Sequence, residues 1–248
     1  MLAKTIITPR DVLVPAIERF TVEVEVERRI APFWDPASRG VEVDVEGIGR
    51  GVTGRDGVAR IPADALRVGT RTPIARVGAE SAPFLVRVIP KNDPVFIVDI
   101  DHTIADVSSA GFVFKSLEKV RPLPGARDAL VRIGSQMTLL YLTARDHIFT
   151  RKTREWLRMN GFPEAPLYLR RVRFWSQRAG NHKLACLAEL RERFTNLAWG
   201  VGDLRADVEA YAAHGIRPIL LASKEPQGLP EGTTCATDWG EVEKLLGP

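Results

Sequence analysis

The sequence predicts two regions of different class: a small all-β sandwich of immunoglobulin-like or transthyretin-like type over residues 1–92, then an α/β unit with a doubly wound parallel sheet over residues 93–248. Three observations predict it. The first ninety residues alternate apolar and polar positions, the segment Pro90-Lys91-Asn92-Asp93-Pro94 interrupts that pattern, and short apolar runs then alternate with amphipathic helical stretches.

Alternation is clearest where Phe20, Val22, Val24 and Val26 face one way and Thr21, Glu23, Glu25 and Glu27 the other. Val41, Val43 and Val45 repeat it against Glu42, Asp44 and Glu46, so each run reads as a half-buried antiparallel strand. Turn residues follow at short intervals, among them Pro32, Asp35-Pro36 and Gly47 to Gly51. Asp56-Gly57, set between Val52 and Val58, predicts a hairpin joining two paired strands. Phe84, Val86 and Val88 close the series, and no helical stretch interrupts it.

Beyond Pro94, Val95-Phe96-Ile97-Val98 is a continuous apolar run ending at Asp99, as a strand buried on both faces requires. Further strands are predicted at Thr138 to Leu142, Pro166 to Leu169, Leu197 to Val201 and Pro218 to Ala222. Helical periodicity lies between them, in Gly125 to Ile133, Ile148 to Met159, Lys183 to Phe194 and Ala206 to Ala213. In such a sheet, ligands bind at the carboxyl ends of the strands.

With 45% hydrophobic and 27% charged residues and a mean hydropathy of −0.07, the chain has the balance of a protein that buries a core. No run approaches the roughly 18 apolar residues of a membrane span. Lys4, Arg10 and Asp11 break the start too early for a signal-peptide core, so the expected location is cytoplasmic. Cys186 and Cys235 lack the paired spacing of a zinc site and the density of a disulfide scaffold. The net charge of +4 is mild, but twelve Lys or Arg face five acids between Arg145 and Arg193, which predicts a local positive field.

The chemistry-bearing residues stand at the predicted strand ends. The first strand runs into Asp99-Ile100-Asp101-His102-Thr103, and the fourth into Gly202-Asp203, with Asp207 four residues on. Carboxylates this close repel one another, so they need a cation or a shared proton, and together they make an oxygen-rich cluster suited to Mg²⁺. The second strand ends in Thr143, and Lys183 opens the helix before the fourth.

Asp-x-Asp-x-Thr, a strand ending in Thr, Lys, and Gly-Asp-x-x-x-Asp, in this order, resemble the haloacid dehalogenase superfamily of phosphohydrolases from about Pro94 onward. The resemblance implies a Rossmann-like domain in which Asp99 is the nucleophile and Asp101 the general acid and base. It further implies that Thr143 and Lys183 hold the phosphoryl oxygens. Asp99, Asp203 and the backbone carbonyl of Asp101 would bind Mg²⁺, with Asp207 behind them. His102 and Arg145 are candidate substrate contacts; the alternatives are a solvent-facing turn for His102 and a surface arginine for Arg145.

The stretches from Thr103 to Thr143 and from Thr143 to Lys183 are too short for a large cap domain, so the site is expected to be open to a bulky phosphorylated substrate. Leu140-Tyr141-Leu142-Thr143-Ala144-Arg145, Arg121-Pro122-Leu123-Pro124-Gly125 and Gly161-Phe162-Pro163 are similar to the lipin and actin-patch phosphatidate phosphatase group, which also places a β-sandwich before the catalytic domain. His102 stands where that group usually has Gly or Asp. The resemblance implies phosphatidate as substrate, and the basic stretch fits peripheral contact with an anionic membrane or with nucleic acid. Two alternatives stand beside it. One is a polynucleotide 3′-phosphatase, on the similarity of Thr150 to Leu157 and the placing of Phe174 and Trp175 beside Arg171, Arg173 and Arg178. The other is a lipid-sensing module that binds phosphatidate without hydrolysing it, against which an intact Asp101 argues. Trp156 reads as a core residue on its helix, and the sandwich carries no recognisable chemistry of its own.

Overall fold

The computed structural model describes residues 4–29, 36–171, 179–224 and 226–247. The chain divides into two units, Met1–Pro90 and Lys91–Pro248.

The first unit is all β. Its strands are β1 (Lys4–Pro9), β2 (Val12–Pro15), β3 (Phe20–Arg29), β4 (Glu42–Val45), β5 (Gly49–Val52), β6 (Val58–Ala63), β7 (Gly69–Arg71), β8 (Ile74–Val77), β9 (Glu80–Pro83) and β10 (Val86–Ile89). They form three sheets, ordered β1-β3-β6, β2-β10-β7 and β5-β4-β8-β9, and β2 with β10 is the one parallel pair among them. Alternation does its expected work: Phe20, Val22, Val24 and Val26 of β3 bury against Val43, Val45 and Ile61 in one apolar core. The Asp56-Gly57 hairpin does not form. β5 pairs with β4 and β6 with β3, so this turn carries the chain from one sheet to another. Gly57 is left-handed there (φ +72°), and a Cβ would lie 2.7 Å from the Ala37 Cβ, so the turn's glycine serves a close approach between neighbouring segments.

The second unit has a six-stranded sheet in the order β13-β12-β11-β14-β15-β16, with every pair parallel. Its strands are β11 (Val95–Val98), β12 (Thr138–Asp146), β13 (Leu167–Arg170), β14 (Leu197–Gly202), β15 (Arg217–Leu221) and β16 (Thr234–Ala236). Its helices are α1 (Ser109–Phe114), α2 (Ala126–Gly134), α3 (Thr150–Met159), α4 (Ala179–Arg193), α5 (Arg205–Ala213) and α6 (Trp239–Leu246). β11 is wholly buried. Phe96 and Val98 join an apolar cluster with Leu130 of α2, Trp156 of α3 and Trp239 of α6, while Ile97 points out of that cluster, as the pleat demands. α4 and α5 pack together, α4 on β12 and α5 on β14 and β15, which makes the sheet doubly wound.

Five elements depart from expectation, the first being β12, which runs on to Asp146 and so carries Thr143 within the strand instead of at its end. α1 and β16 carry too few residues to show a period, and α6 follows the last of the predicted strands. α4 begins four residues before Lys183, which places the lysine in the second turn instead of at the helix opening. The chain enters at β11, builds outward through β12 and β13, then returns to the other side of β11 with β14. That reversal is a topological switch point, where a doubly wound sheet opens a crevice at its carboxyl edge.

Among the described residues no helix is long and apolar enough to cross a membrane.

Candidate active site

The carboxyl ends of β11 and β14 lie side by side at the switch point, and each delivers an acid. The Asp99 N–H donates to the Val201 carbonyl at 3.0 Å, so the pairing of these central strands continues up to the acid itself. The chain then turns sharply: the Ala105 N–H donates to the Ile100 carbonyl at 2.9 Å and the His102 N–H to the Ala105 carbonyl at 2.8 Å. This turn brings Asp101 near enough for its charge to act on Asp99. Trp239 of α6 secures it, donating its indole N–H to the Thr103 carbonyl at 2.8 Å.

His102 is exposed and adopts φ +52°, the left-handed conformation that a β-carbon disfavours. The structure thus gives it the solvent-facing turn and a backbone that suits glycine. His102→Gly is expected to stabilise the protein by about 0.5–1 kcal/mol in urea unfolding, the relief of strain exceeding glycine's entropy loss. A loss of stability would mean that the imidazole holds the loop.

Lys183 is buried and bridges two acids, with its Nζ 2.7 Å from Asp99 Oδ1 and 2.6 Å from Asp207 Oδ1. Asp207 is oriented from its other side, where Oδ2 accepts the Leu204 N–H at 3.2 Å. Gly202 allows this arrangement, because a Cβ at that position would stand 2.5 Å from the Asp207 side chain. Gly200 does the same for Tyr211, whose ring would meet a Cβ at 2.5 Å. The glycines of β14 therefore let α5 settle close enough for Asp207 to reach Lys183.

Asp203 is half-buried at the end of β14, and one carboxylate oxygen each from Asp99, Asp203 and Asp207 lie within 4.8 Å of one another. Burial first, opposed by Lys183 and reinforced by Asp207, pushes the Asp99 carboxyl up to about 7. Burial and then the Asp207 charge push Asp203 up to about 6. For Lys183, burial works against the ammonium, and the adjacent carboxylates outweigh it, so its pKa stands above the ordinary lysine value. Three carboxylates against one ammonium leave negative charge in excess, which the protein alone can relieve only by retaining protons. A hard divalent cation with oxygen ligands relieves it directly, and the donor set fits Mg²⁺.

Asp101 is held elsewhere. Its Oδ1 accepts Arg145 Nε at 2.9 Å and Nη2 at 2.7 Å, and its Oδ2 accepts the Ser109 hydroxyl at the start of α1. Arg145 is 1% exposed, so it is no surface arginine, and its Nε and Nη2 engage Asp101. Thr143 is fully buried on β12, where the register against β13 shifts between Leu142 and Asp146, and its Oγ1 accepts the Arg145 N–H at 3.3 Å.

The basic stretch is partly spent internally, with Arg145, Lys152 and Lys183 all bonded inside the unit. Trp156 is core: it is fully buried, donates to the Val120 carbonyl at 2.9 Å and stacks on Phe162. Arg173, Phe174, Trp175 and Arg178 lie outside the described residues. Ser109, Phe112 and Trp239 escaped the sequence reading because each is an ordinary residue in a short element that no period announces.

A family model described as the PITM 1-3 LNS2 domain matches residues 96–220, half of the chain, from within β11 to within β15. No curated protein matches the chain. Among solved structures it is similar to a haloacid dehalogenase-like family hydrolase from Xanthomonas campestris, at 13% identity over 63% of this chain and 95% of that one, with a TM-score of 0.44. It is also similar to a haloacid dehalogenase-like family hydrolase from Streptococcus pneumoniae, at 12% identity over 62% of this chain and 98% of that one, with a TM-score of 0.43. By the span of the matching model, the chain belongs to the PITM 1-3 LNS2 domain family.

Proposed function

We propose that the chain is a Mg²⁺-dependent phosphomonoesterase that works through an aspartyl-phosphate and acts on a phosphatidate-like lipid. The observation that carries the reading is the convergence of Asp99, Asp203 and Asp207 around the Lys183 ammonium at the carboxyl edge of the sheet. A phosphoryl group carries its charge on peripheral oxygens, and catalysis of its transfer is mostly positioning and charge neutralisation. Lys183 and Thr143 hold those oxygens while an Asp99 oxygen attacks phosphorus. As the bond to the leaving alkoxide breaks, Asp101, which must enter this step in its acid form, gives that oxygen its proton; left as the carboxylate, it then takes a proton from the water that hydrolyses the aspartyl-phosphate and so regains the acid form. Asp99, Asp203 and the Asp101 backbone carbonyl would hold Mg²⁺, which when bound neutralises phosphoryl charge.

Apolar side chains support the lipid part of the reading. Phe114 is 86% exposed, Leu204 58% and Ile148 49%, and they belong to the three connections that follow β11, β14 and β12. Exposed large apolar groups around a phosphate site suit a substrate whose phosphate is joined to acyl chains in an anionic bilayer. The buried Trp156 takes away one support of the polynucleotide alternative.

The test is phosphate release from short-chain phosphatidate in micelles, a 3′-phosphorylated oligonucleotide, a phosphopeptide and p-nitrophenyl phosphate, with Mg²⁺ and with chelator. Chelator-sensitive release, fastest from phosphatidate, is expected. Preference for the oligonucleotide overturns the lipid assignment. Binding to phosphatidate liposomes with no release from any substrate overturns the enzyme in favour of a sensing module.

A further inference from the structure

We infer that Arg145 is the positioning residue for proton transfer, holding Asp101 through a clamp that α1 completes. The inference rests on the phosphatase reading above.

The guanidinium is enclosed on several sides. Two of its nitrogens meet a single oxygen of Asp101, Nη1 lies 3.4 Å from Thr153 Oγ1, and Cζ stands 3.6 Å from the centre of the Phe112 ring. With Nε and Nη2 both bonded to Asp101, the guanidinium's fork is committed to that carboxylate. Phe112 belongs to α1, and so does Ser109, which donates to the other Asp101 oxygen. A six-residue helix is too short to stand alone. Lys152 of α3 holds its carboxyl end, giving Nζ hydrogen bonds to the carbonyls of Phe112 at 2.6 Å, Lys115 at 2.8 Å and Val113 at 3.2 Å. Asp101 is therefore gripped at one oxygen by β12 and at the other by α1, and the ring of α1 closes over the guanidinium.

A short aspartate on a sharp turn has few packing contacts of its own to select a rotamer. General acid catalysis needs its oxygen within hydrogen-bond reach of the departing oxygen, and a misplacement of about 1 Å is worth about 10²-fold in rate. Arg145 supplies that constraint without touching substrate. Its loss should therefore fall on kcat and not on KM, and chiefly on substrates whose leaving group needs a proton.

The experiment compares wild type, Arg145→Lys and Phe112→Leu on an alkyl phosphate, whose alkoxide needs protonation, and on p-nitrophenyl phosphate, whose phenolate leaves unaided. Arg145→Lys keeps a cation beside Asp101 but loses the fork. Phe112→Leu leaves the fork and removes only the ring, so it probes the clamp even where the arginine variant fails to fold, which thermal melting reveals. For both variants we expect kcat on the alkyl phosphate to fall at least about tenfold more than on p-nitrophenyl phosphate, with about 10²-fold for Arg145→Lys, and KM to move less than about threefold. Equal losses on the two substrates would reduce Arg145 to a structural role. A raised KM with kcat intact would make it a substrate contact. Failure of wild type to release phosphate from either substrate overturns the phosphatase reading itself, and this inference with it.

Discussion

Asp99→Asn is expected to lower kcat by about 10⁴-fold or more while leaving the fold intact. The amide retains the shape of the carboxylate, and its oxygen can still accept from Lys183. It cannot supply the anionic oxygen that attacks phosphorus. Stability should change little, because the substitution removes a charge from a buried set that carries an excess of them, and burial already pushes Asp99 up to about 7 against the pull of Lys183. Phosphate release under saturating Mg²⁺, with melting temperature measured in parallel, checks both halves. Substantial activity in a pure, folded sample would move the nucleophile to another residue.

Lys183→Met is expected to cost about 3–5 kcal/mol of stability at pH 8, because it strips the ammonium from between two buried carboxylates. The loss should shrink as pH falls. A carboxylate whose folded pKa is raised, as for Asp99 at about 7 and Asp203 at about 6, takes up protons on folding. The associated penalty is small near the unfolded value of 3.8 and complete above the folded one. Without Lys183, whose charge lowers Asp99, that folded value rises further and the acidic form carries the fold. Urea unfolding at pH 5 and pH 8 should therefore give unequal differences from wild type, the larger at pH 8. Mg²⁺ should recover part of the loss at pH 8 and little at pH 5, since it competes with those same protons. Equal differences at the two pH values would mean that the lysine acts through packing alone.

The α/β unit was legible because each buried strand ends at a change of chemistry. Val95 to Val98 gives way to Asp99, and Leu197 to Val201 to Gly202-Asp203, so apolar run and functional residue locate each other. The all-β unit was legible only where alternation persists. Phe20 to Glu27 shows it, whereas β7, β8 and β9 have three or four residues each, too few to establish a period. Asp56-Gly57 misled because a turn dipeptide reports a reversal of the chain and not which strands pair afterwards. Arg145 misled for another reason. Its partner Asp101 is 44 residues away, and a buried arginine looks in sequence like an exposed one. Only the packing of α1 against β12 tells them apart.

The two halves of the proposed chemistry hang on parts of the fold that open on different timescales. Asp99 and Asp203 extend from β11 and β14, the two innermost strands of the sheet, whose amides are expected to exchange with solvent only on unfolding of the whole unit. The grip on Asp101 includes a six-residue helix held by the buried Phe112 ring, by Lys152 and by the Ser109 bond to Asp101, and so short a segment is expected to open at lower free energy than the central strands. In the proposed chemistry, attack on phosphorus would be available for as long as the protein is folded. Proton delivery by Asp101 would require α1 to be seated as well, and faster amide exchange in α1 than in β11 and β14 is the expected sign of that difference.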